Sequence, residues 1–372
     1  RKIGKVHMFQ HYIAGNLGKL LCVHTVLRLR LRVDQGEYTL RRGEGALELR
    51  EDIGRLIDGA GEFPGILDEA AQVTQTDLLL QEQYGAEYTH QRQGNIVDAV
   101  EEAGGKPVLL EQIKADYLTY DSENTLLGCS DEVGGLTLET ANVIKENLWE
   151  NTNVEDVMQG IDAVIFTGGE DISSSLYAKP EPWHGIEAEI DFNATRDTSD
   201  YILMSYCIEK NIAVVGFCRG MQMLAVVSGA EMIQDIPTHY RNLNKEYLYQ
   251  HRNEKATPES YRDYAPHNVS IAKDSLAYKI YQKDLLTGCP SWHHQAVLNV
   301  DGTNLVISGS VDTNSEKMIE IIEHTGKDFI IGFQFHPEAA VVKHMQGADN
   351  AADFMDYDTA LLVFESLIDT IS

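Results

Sequence analysis

Cys218 stands in Gly216-Phe-Cys-Arg-Gly220, a glycine, any residue, nucleophile, any residue, glycine pattern. Small residues on both sides of a thiol allow a sharp strand-to-helix turn that lifts the side chain out at the carboxyl end of a sheet. There the helix dipole and the first unpaired N–H groups favour a thiolate, and the N–H of Arg219 becomes a candidate oxyanion donor. A small buried thiol that only packs would leave the same trace, and spacing alone keeps both readings open. In Phe333-Gln-Phe-His-Pro-Glu338, His336 and Glu338 lie two residues apart after an apolar strand, so an extended chain would bring both to one side. A carboxylate holding one imidazole nitrogen fixes the tautomer, and the other nitrogen can take a proton from a thiol and return it to a leaving amine. Thr167-Gly-Gly-Glu-Asp-Ile172 adds a glycine pair after a buried run. Such a pair lets a backbone amide face a reacting atom with no Cβ in the way, although an ordinary strand-end turn would look similar. Neither Gly-x4-Gly-Lys-Ser/Thr nor Gly-x-Gly-x-x-Gly occurs at a helix start, so nucleotide binding has no motif behind it.

These groups need a sheet to carry them. The spacing predicts a strand over Ile161–Thr167, a helix over Ser199–Lys210, a strand over Ile212–Phe217 and a helix over Arg219–Ser228, with Gly229 at its C-terminal cap. Strands alternating with helices imply an α/β fold with a doubly wound, mostly parallel sheet flanked by helices. Upstream, Lys2–Met8 reads as a first strand, Gly94–Gly105 as a glycine-ended helix and Pro107–Leu110 as the next strand. Downstream, Met318–Glu323 and Phe329–Phe335 flank Thr325-Gly-Lys-Asp328 as a hairpin, and Thr359–Thr370 closes the chain as an amphipathic helix. The stretch from about 15 to 90 fits no such alternation. Its basic Arg28–Arg32 run and acidic helical pattern around Leu47–Ile57 are read as an insertion, lid or oligomerisation element inside one domain spanning 1–372.

Composition narrows the partners. The 372 residues hold 30 Lys and Arg against 58 Asp and Glu, a net charge of −28, which leaves little cation to build a nucleic-acid-binding face. A hydrophobic share of 43% with 24% charged residues is a globular balance. The five cysteines form no CxxC pair, so neither a disulfide framework nor a zinc knuckle is signalled, and a reducing, cytoplasmic setting is expected. No apolar run approaches the roughly 20 residues that span a bilayer. A leader removed before Arg1 stays open.

Five segments, Thr167-Gly-Gly-Glu-Asp171, Arg196-Asp197, Phe217-Cys-Arg-Gly-Met-Gln222, Ser291-Trp-His-His-Gln-Ala296 and Gln334-Phe-His-Pro-Glu338, resemble in order and approximate spacing the class I glutamine amidotransferase-like superfamily. Within it they are most similar to the gamma-glutamyl-gamma-aminobutyrate hydrolase family, and the likeness runs from about Ala163 to Glu338. The resemblance implies a flavodoxin-like amidotransferase fold, Cys218 as nucleophile, His336 as general acid and base, Glu338 as its orienting carboxylate, and the N–H groups of Gly169 and Arg219 as the oxyanion hole. It further implies that Gln222 lies near the substrate and that His293, His294 and Gln295 wall its site, an exposed helix residue and a structural hydrogen-bonding cluster being the respective alternatives. Arg196 would hold the site or the substrate's α-carboxylate, a helix-start ion pair being the alternative. The implied reaction releases glutamate and a free amine from a γ-glutamyl amide through a thioester, with no metal or organic cofactor. Phe335 departs from the family's tryptophan, and the segment before His90 has no match, so it could cover the site, build a homodimer contact or alter substrate choice. A glutaminase subunit feeding ammonia to a partner synthetase, a folate poly-γ-glutamate hydrolase and a catalytically silent binding module are the rival readings.

Overall fold

The computed structural model describes residues 5–9, 32–33, 36–37, 95–248, 251–254, 263–313 and 316–372. In chain order the first elements are strands β1 (Lys5–Phe9), β2 (Arg32–Val33) and β3 (Gly36–Glu37), helix α1 (Asn95–Glu102), strand β4 (Lys106–Leu110), and helices α2 (Leu138–Asn147) and α3 (Val154–Val157). Next come β5 (Ala163–Phe166), α4 (Ala194–Lys210), β6 (Ala213–Phe217), α5 (Arg219–Val227), β7 (Glu231–Ile233) and α6 (Ile236–Asn242). The chain continues through β8 (Ala265–Ile271), α7 (Leu276–Tyr281), β9 (Leu285–Ser291), β10 (Ala296–Asn299), β11 (Leu305–Thr313) and β12 (Glu316–His324). It closes with β13 (Ile330–Phe333), α8 (Pro337–Met345) and α9 (Tyr357–Ile371). Two compact units divide it, Arg1–Ile13 with Gln81–Ser372, and Ala14–Leu80. In the second, β2 and β3 pair antiparallel. The remainder of the segment expected as an insertion over about 15–90 lies outside the described residues.

The first unit is built on a nine-stranded sheet in the order β4-β1-β5-β6-β13-β12-β11-β8-β9. From β4 to β13 every pairing is parallel, and from β13 to β9 every pairing is antiparallel. All four residues of β5 and all five of β6 are buried, as expected of strands covered on both faces. The pleat sends them to opposite cores. Val164, Phe166 and Val214 pack with α2, α4 and α5, whereas Ala163, Ile165, Val215 and Phe217 pack with α1, α8 and α9. Among the described residues no helix is long and apolar enough to cross a membrane.

Most element boundaries fall within a few residues of those expected, with one consequential exception. Helix α4 begins at Ala194, five residues before Ser199, because the Asn193 side chain accepts from the Arg196 N–H and caps the first turn. The added turn is polar yet buried, Thr195 to Asp200 all being shielded, so hydrophobic periodicity does not mark it. Arg196 and Asp197 therefore lie inside the helix rather than ahead of it.

Candidate active site

Strand β6 ends at Phe217 and α5 begins at Arg219, so Cys218 alone makes the turn, at φ 51° and ψ −106°. That conformation is costly for a residue bearing a Cβ and must be held by its surroundings. The holding is close-packed: a Cβ on Gly216 would lie 2.5 Å from the Gly220 carbonyl carbon, and one on Gly220 would collide with the Phe166 carbonyl. The Cys218 N–H donates to the Phe333 carbonyl at 2.7 Å, which ties the turn to the end of β13. Its Sγ lies 3.9 Å from the Trp292 carbonyl.

The chain from β13 does not stay extended through His336 and Glu338, as the two-residue spacing suggests. His336 occupies the cap of α8, Pro337 follows as the first helical residue, and Glu338 sits in the first turn. Proline's fixed φ starts the helix there, and the turn rather than a pleat brings the two side chains together. His336 Nδ1 lies 2.6 Å from Glu338 Oε1, with both residues buried. Burial opposes the imidazolium, but the charges of Glu338 and Cys218 outweigh it and hold His336 up at about 9. A protonated ring at neutral pH favours a thiolate beside it. The Cβ position of Gly168 lies 3.0 Å from His336 Cε1 and 3.6 Å from Cys218 Cβ, so the ends of β5, β6 and β13 meet at one point.

Beneath this corner lies a lattice of buried charge. Arg196 donates to Glu170 at 2.5 Å, to the Gly168 carbonyl at 2.9 Å, to the Thr167 hydroxyl at 3.1 Å and to Asp200 at 3.3 Å. The Arg219 guanidinium donates to Asp197 at 2.5 Å and to Asp200. Burial alone would raise Glu170, and the charges of Arg196 and Arg219 bring it down to about 2. The structure thus spends the Arg196 donors on the framework, as a brace behind the glycine turn. A Cβ on Gly169, at φ 153°, would run into that guanidinium.

The remaining expected wall residues separate into two groups. Gln222 donates to the Gln295 carbonyl and to Gln334 Oε1, both at 3.1 Å, while Gln295 Oε1 accepts from the Ile172 N–H at 3.4 Å. The His293 ring is buried, with Nδ1 2.7 Å from the Gln295 carbonyl. His294 instead keeps 12% of its side chain exposed, with Nε2 2.9 Å from Asp171 and Nδ1 3.2 Å from Asp235. Burial pulls its pKa down, but Asp171 and Asp235 prevail and raise it to about 9. Sequence reasoning overlooked the parts played by Glu170, Asp200 and Asp235. Asp200 left a trace, four residues beyond Arg196 on what proves to be a helix; Asp235 is recognisable only once His294 is placed next to it.

A model of the family described as Peptidase C26 matches residues 137–338, which include Gly169, Cys218, His336 and Glu338. Protein NtpR of Enterococcus hirae is 32% identical over 179 residues, covering 48% of this chain and 67% of that protein. A glutamine amidotransferase-like protein of Rickettsia prowazekii is 27% identical over 220 residues, covering 51% of this chain and 75% of its own. Gamma-glutamyl-gamma-aminobutyrate hydrolase PuuD of Escherichia coli is 23% identical over 224 residues, covering 60% and 80%. Among solved structures, the glutaminase domain of Trypanosoma brucei CTPS with bound acivicin aligns over 74% of this chain and 88% of that chain, at 16% identity and a TM-score of 0.37.

Proposed function

The chain belongs to the Peptidase C26 family, within the class I glutamine amidotransferase-like superfamily, and as such is a hydrolase; we propose that it is a cysteine hydrolase of γ-glutamyl amines. The observation that carries the proposal is the buried His336–Glu338 pair, 2.6 Å apart, standing over the Cys218 turn. In this reading Cys218 Sγ attacks the γ-carbonyl carbon, and the electron pair moves onto the carbonyl oxygen. That oxyanion is received by the N–H groups of Gly169 and Arg219, each such donor typically contributing about 10²–10³ in rate. As the tetrahedral intermediate collapses, the C–N bond breaks and His336 gives its proton to the departing amine. Water, deprotonated by His336, then attacks the thioester, expels the thiolate and yields glutamate. Glu338 keeps the proton on His336 Nδ1, so that Nε2 is the nitrogen that exchanges with thiol, amine and water.

The γ-glutamyl amine assignment, with γ-glutamyl-γ-aminobutyrate as the type, is supported by the likeness to the E. coli hydrolase and by the five segments in order. All five expected substrate-binding side chains have protein partners, but Gln222, His293, Gln295 and Arg196 are buried, whereas His294 keeps 12% of its side chain exposed and is the one we place against the substrate's glutamyl head. The amidotransferase-like relative favours a second reading, a glutaminase that supplies ammonia to a partner chain. Glutamate release measured on glutamine, γ-glutamyl-γ-aminobutyrate, a γ-glutamyl anilide and a γ-glutamyl peptide tests both. Release from a γ-glutamyl amine well above glutamine, lost by at least about 10⁴-fold in Cys218→Ala, is expected. Release from glutamine alone, or from none of the four, would overturn the assignment. Glu338→Gln should reduce kcat by less than loss of the nucleophile, because it misplaces a proton rather than removing the reacting atom.

A further inference from the structure

Behind the Trp292–Gln295 wall, four side chains converge from distant parts of the chain: Glu320 on β12, His267 on β8, His251, and His293. Glu320 has no solvent exposure at all, and a carboxylate taken that far from water must be compensated. His251 Nδ1 lies 3.2 Å from Glu320 Oε1, His267 Nε2 3.4 Å from Oε2, and His293 Nε2 3.8 Å from Oε1. One donor atom each from His251, His267 and Glu320 falls within 4.8 Å of the other two. The rings of His251 and His293 stand 4.8 Å apart at their centroids, and those of His251 and His267 5.3 Å.

The arrangement is poor as a hydrogen-bond cluster. Neither oxygen of Glu320 makes an aligned hydrogen bond, and the 3.2 Å approach of His251 lacks the required direction. His293 is more telling. Its Nδ1 lies 2.7 Å from a backbone carbonyl, which can only accept, so Nδ1 carries a proton and a neutral ring turns the Nε2 lone pair toward the carboxylate. Two electron-rich atoms facing each other in a dry interior require a cation or a shared proton between them. A histidine that donates one ring nitrogen to a carbonyl while presenting the other is also the usual posture of a metal ligand. Separations of 3.2–3.8 Å bracket the edge of a tetrahedron built on metal–ligand bonds of about 2.0–2.2 Å, which is about 3.3–3.6 Å.

We propose that Glu320, His251 and His267, with His293 as fourth donor, form a binding site for a divalent transition-metal ion, zinc fitting this nitrogen and oxygen donor set best. Three converged donors, with His293 3.8 Å from Glu320 as the fourth to be drawn in, and no exposed ligand make the site closed, hence structural. It would clamp β8, β12 and the segment of His251 to the wall after β9. That wall carries the Trp292 carbonyl facing Cys218 Sγ, and the end of β9 just ahead of it carries the Pro290 carbonyl that accepts from the His336 N–H. The backbone already prepares the clamp, since the His251 carbonyl accepts from the Ser291 hydroxyl at 3.0 Å and from the His293 N–H at 2.9 Å. No step of the hydrolysis runs through the ion.

The test uses the full chain, stripped with a chelator, dialysed against zinc chloride and analysed for bound metal, in wild type and in Cys218→Ala so that turnover plays no part. About one zinc per chain in both proteins, with a Tm that rises with zinc and falls with chelator, is expected. Glu320→Gln and His267→Gln should hold less than about a tenth of that metal, whereas His294→Gln, outside the cluster, should hold it all. Should the cluster variants fail to fold, cobalt loaded into stripped wild type gives the second reading, intense visible bands of a tetrahedral site being expected. Wild type that binds no zinc, shows no such bands and melts identically in chelator would overturn the proposal, and so would full zinc retention by a folded Glu320→Gln chain.

Discussion

Two buried charge clusters flank the corner where Cys218 meets His336, and they are built on opposite principles. On one side, Arg196 and Arg219 face Glu170, Asp197 and Asp200, and each guanidinium is shared between carboxylates at hydrogen-bonding distance. On the other side, a single carboxylate, Glu320, is approached by three imidazoles, none of which brings a permanent charge. The first cluster carries permanent counter-charges: its guanidinium forks reach carboxylates and the Thr167 and Gly168 carbonyls, which suits a rigid brace under the glycine turn, although Asp200 Oδ1 and Arg219 Nε stay without an aligned partner. The second is complete only with a cation or a shared proton at its centre. The presence of fixed cations thus separates a cluster that positions neighbours unaided from one that invites a ligand.

The strongest way to break this contrast is Arg219→Met. Removing one partner strands Asp197 as a buried charge and leaves Asp200 with Arg196 alone, at 3.3 Å, and a loss of about 3–5 kcal/mol is expected in urea unfolding, equal in zinc and in chelator. A loss below about 1 kcal/mol would show that the lattice is not the brace described. Glu320→Gln should cost less and, unlike Arg219→Met, depend on metal: at zinc about 100-fold above its dissociation constant the deficit against wild type should exceed that in chelator by about 2.7 kcal/mol. Equal deficits under both conditions would erase the distinction. A smaller effect comes from protons. His336 and His294 are held at about 9 in the fold against 6.5 when unfolded, so each stabilises fully below about pH 6.5 and loses that contribution as pH rises towards 9. His294→Gln should therefore flatten the decline of the urea midpoint between pH 6.5 and 9, and an unchanged slope would remove His294 from the charged wall.

What the sequence disclosed follows how locally each feature is encoded. The turn at Cys218 is written in five consecutive residues, because close packing at Gly216 and Gly220 requires glycine at both places. The His336–Glu338 pair is equally local, although Pro337 converts the expected extended geometry into a helix start. Parallel strands β5 and β6 were legible as unbroken apolar runs buried on both faces. The early start of α4 escaped because its first turn is polar and buried, and Asn193, an N-cap residue type, was its available signal. His251, His267 and Glu320 could not be read together, since they lie on separate parts of the chain and share no spacing; the sheet order alone brings β8 and β12 near one another.

In the proposed reaction one thiol of this chain carries the acyl group. Cys207 and Cys289 have thiols pushed up by burial, the latter also by Glu320, whereas Cys218 at the turn is placed beside a protonated imidazole. Acid quenching of wild type during turnover of γ-glutamyl-γ-aminobutyrate, followed by peptide mass mapping, tests this directly. A glutamyl acyl group is expected on the Cys218 peptide and none on those of the other four cysteines, Cys22, Cys129, Cys207 and Cys289. Glutamate release by Cys218→Ala at the wild-type rate, with no acylated Cys218 in wild type, would contradict it.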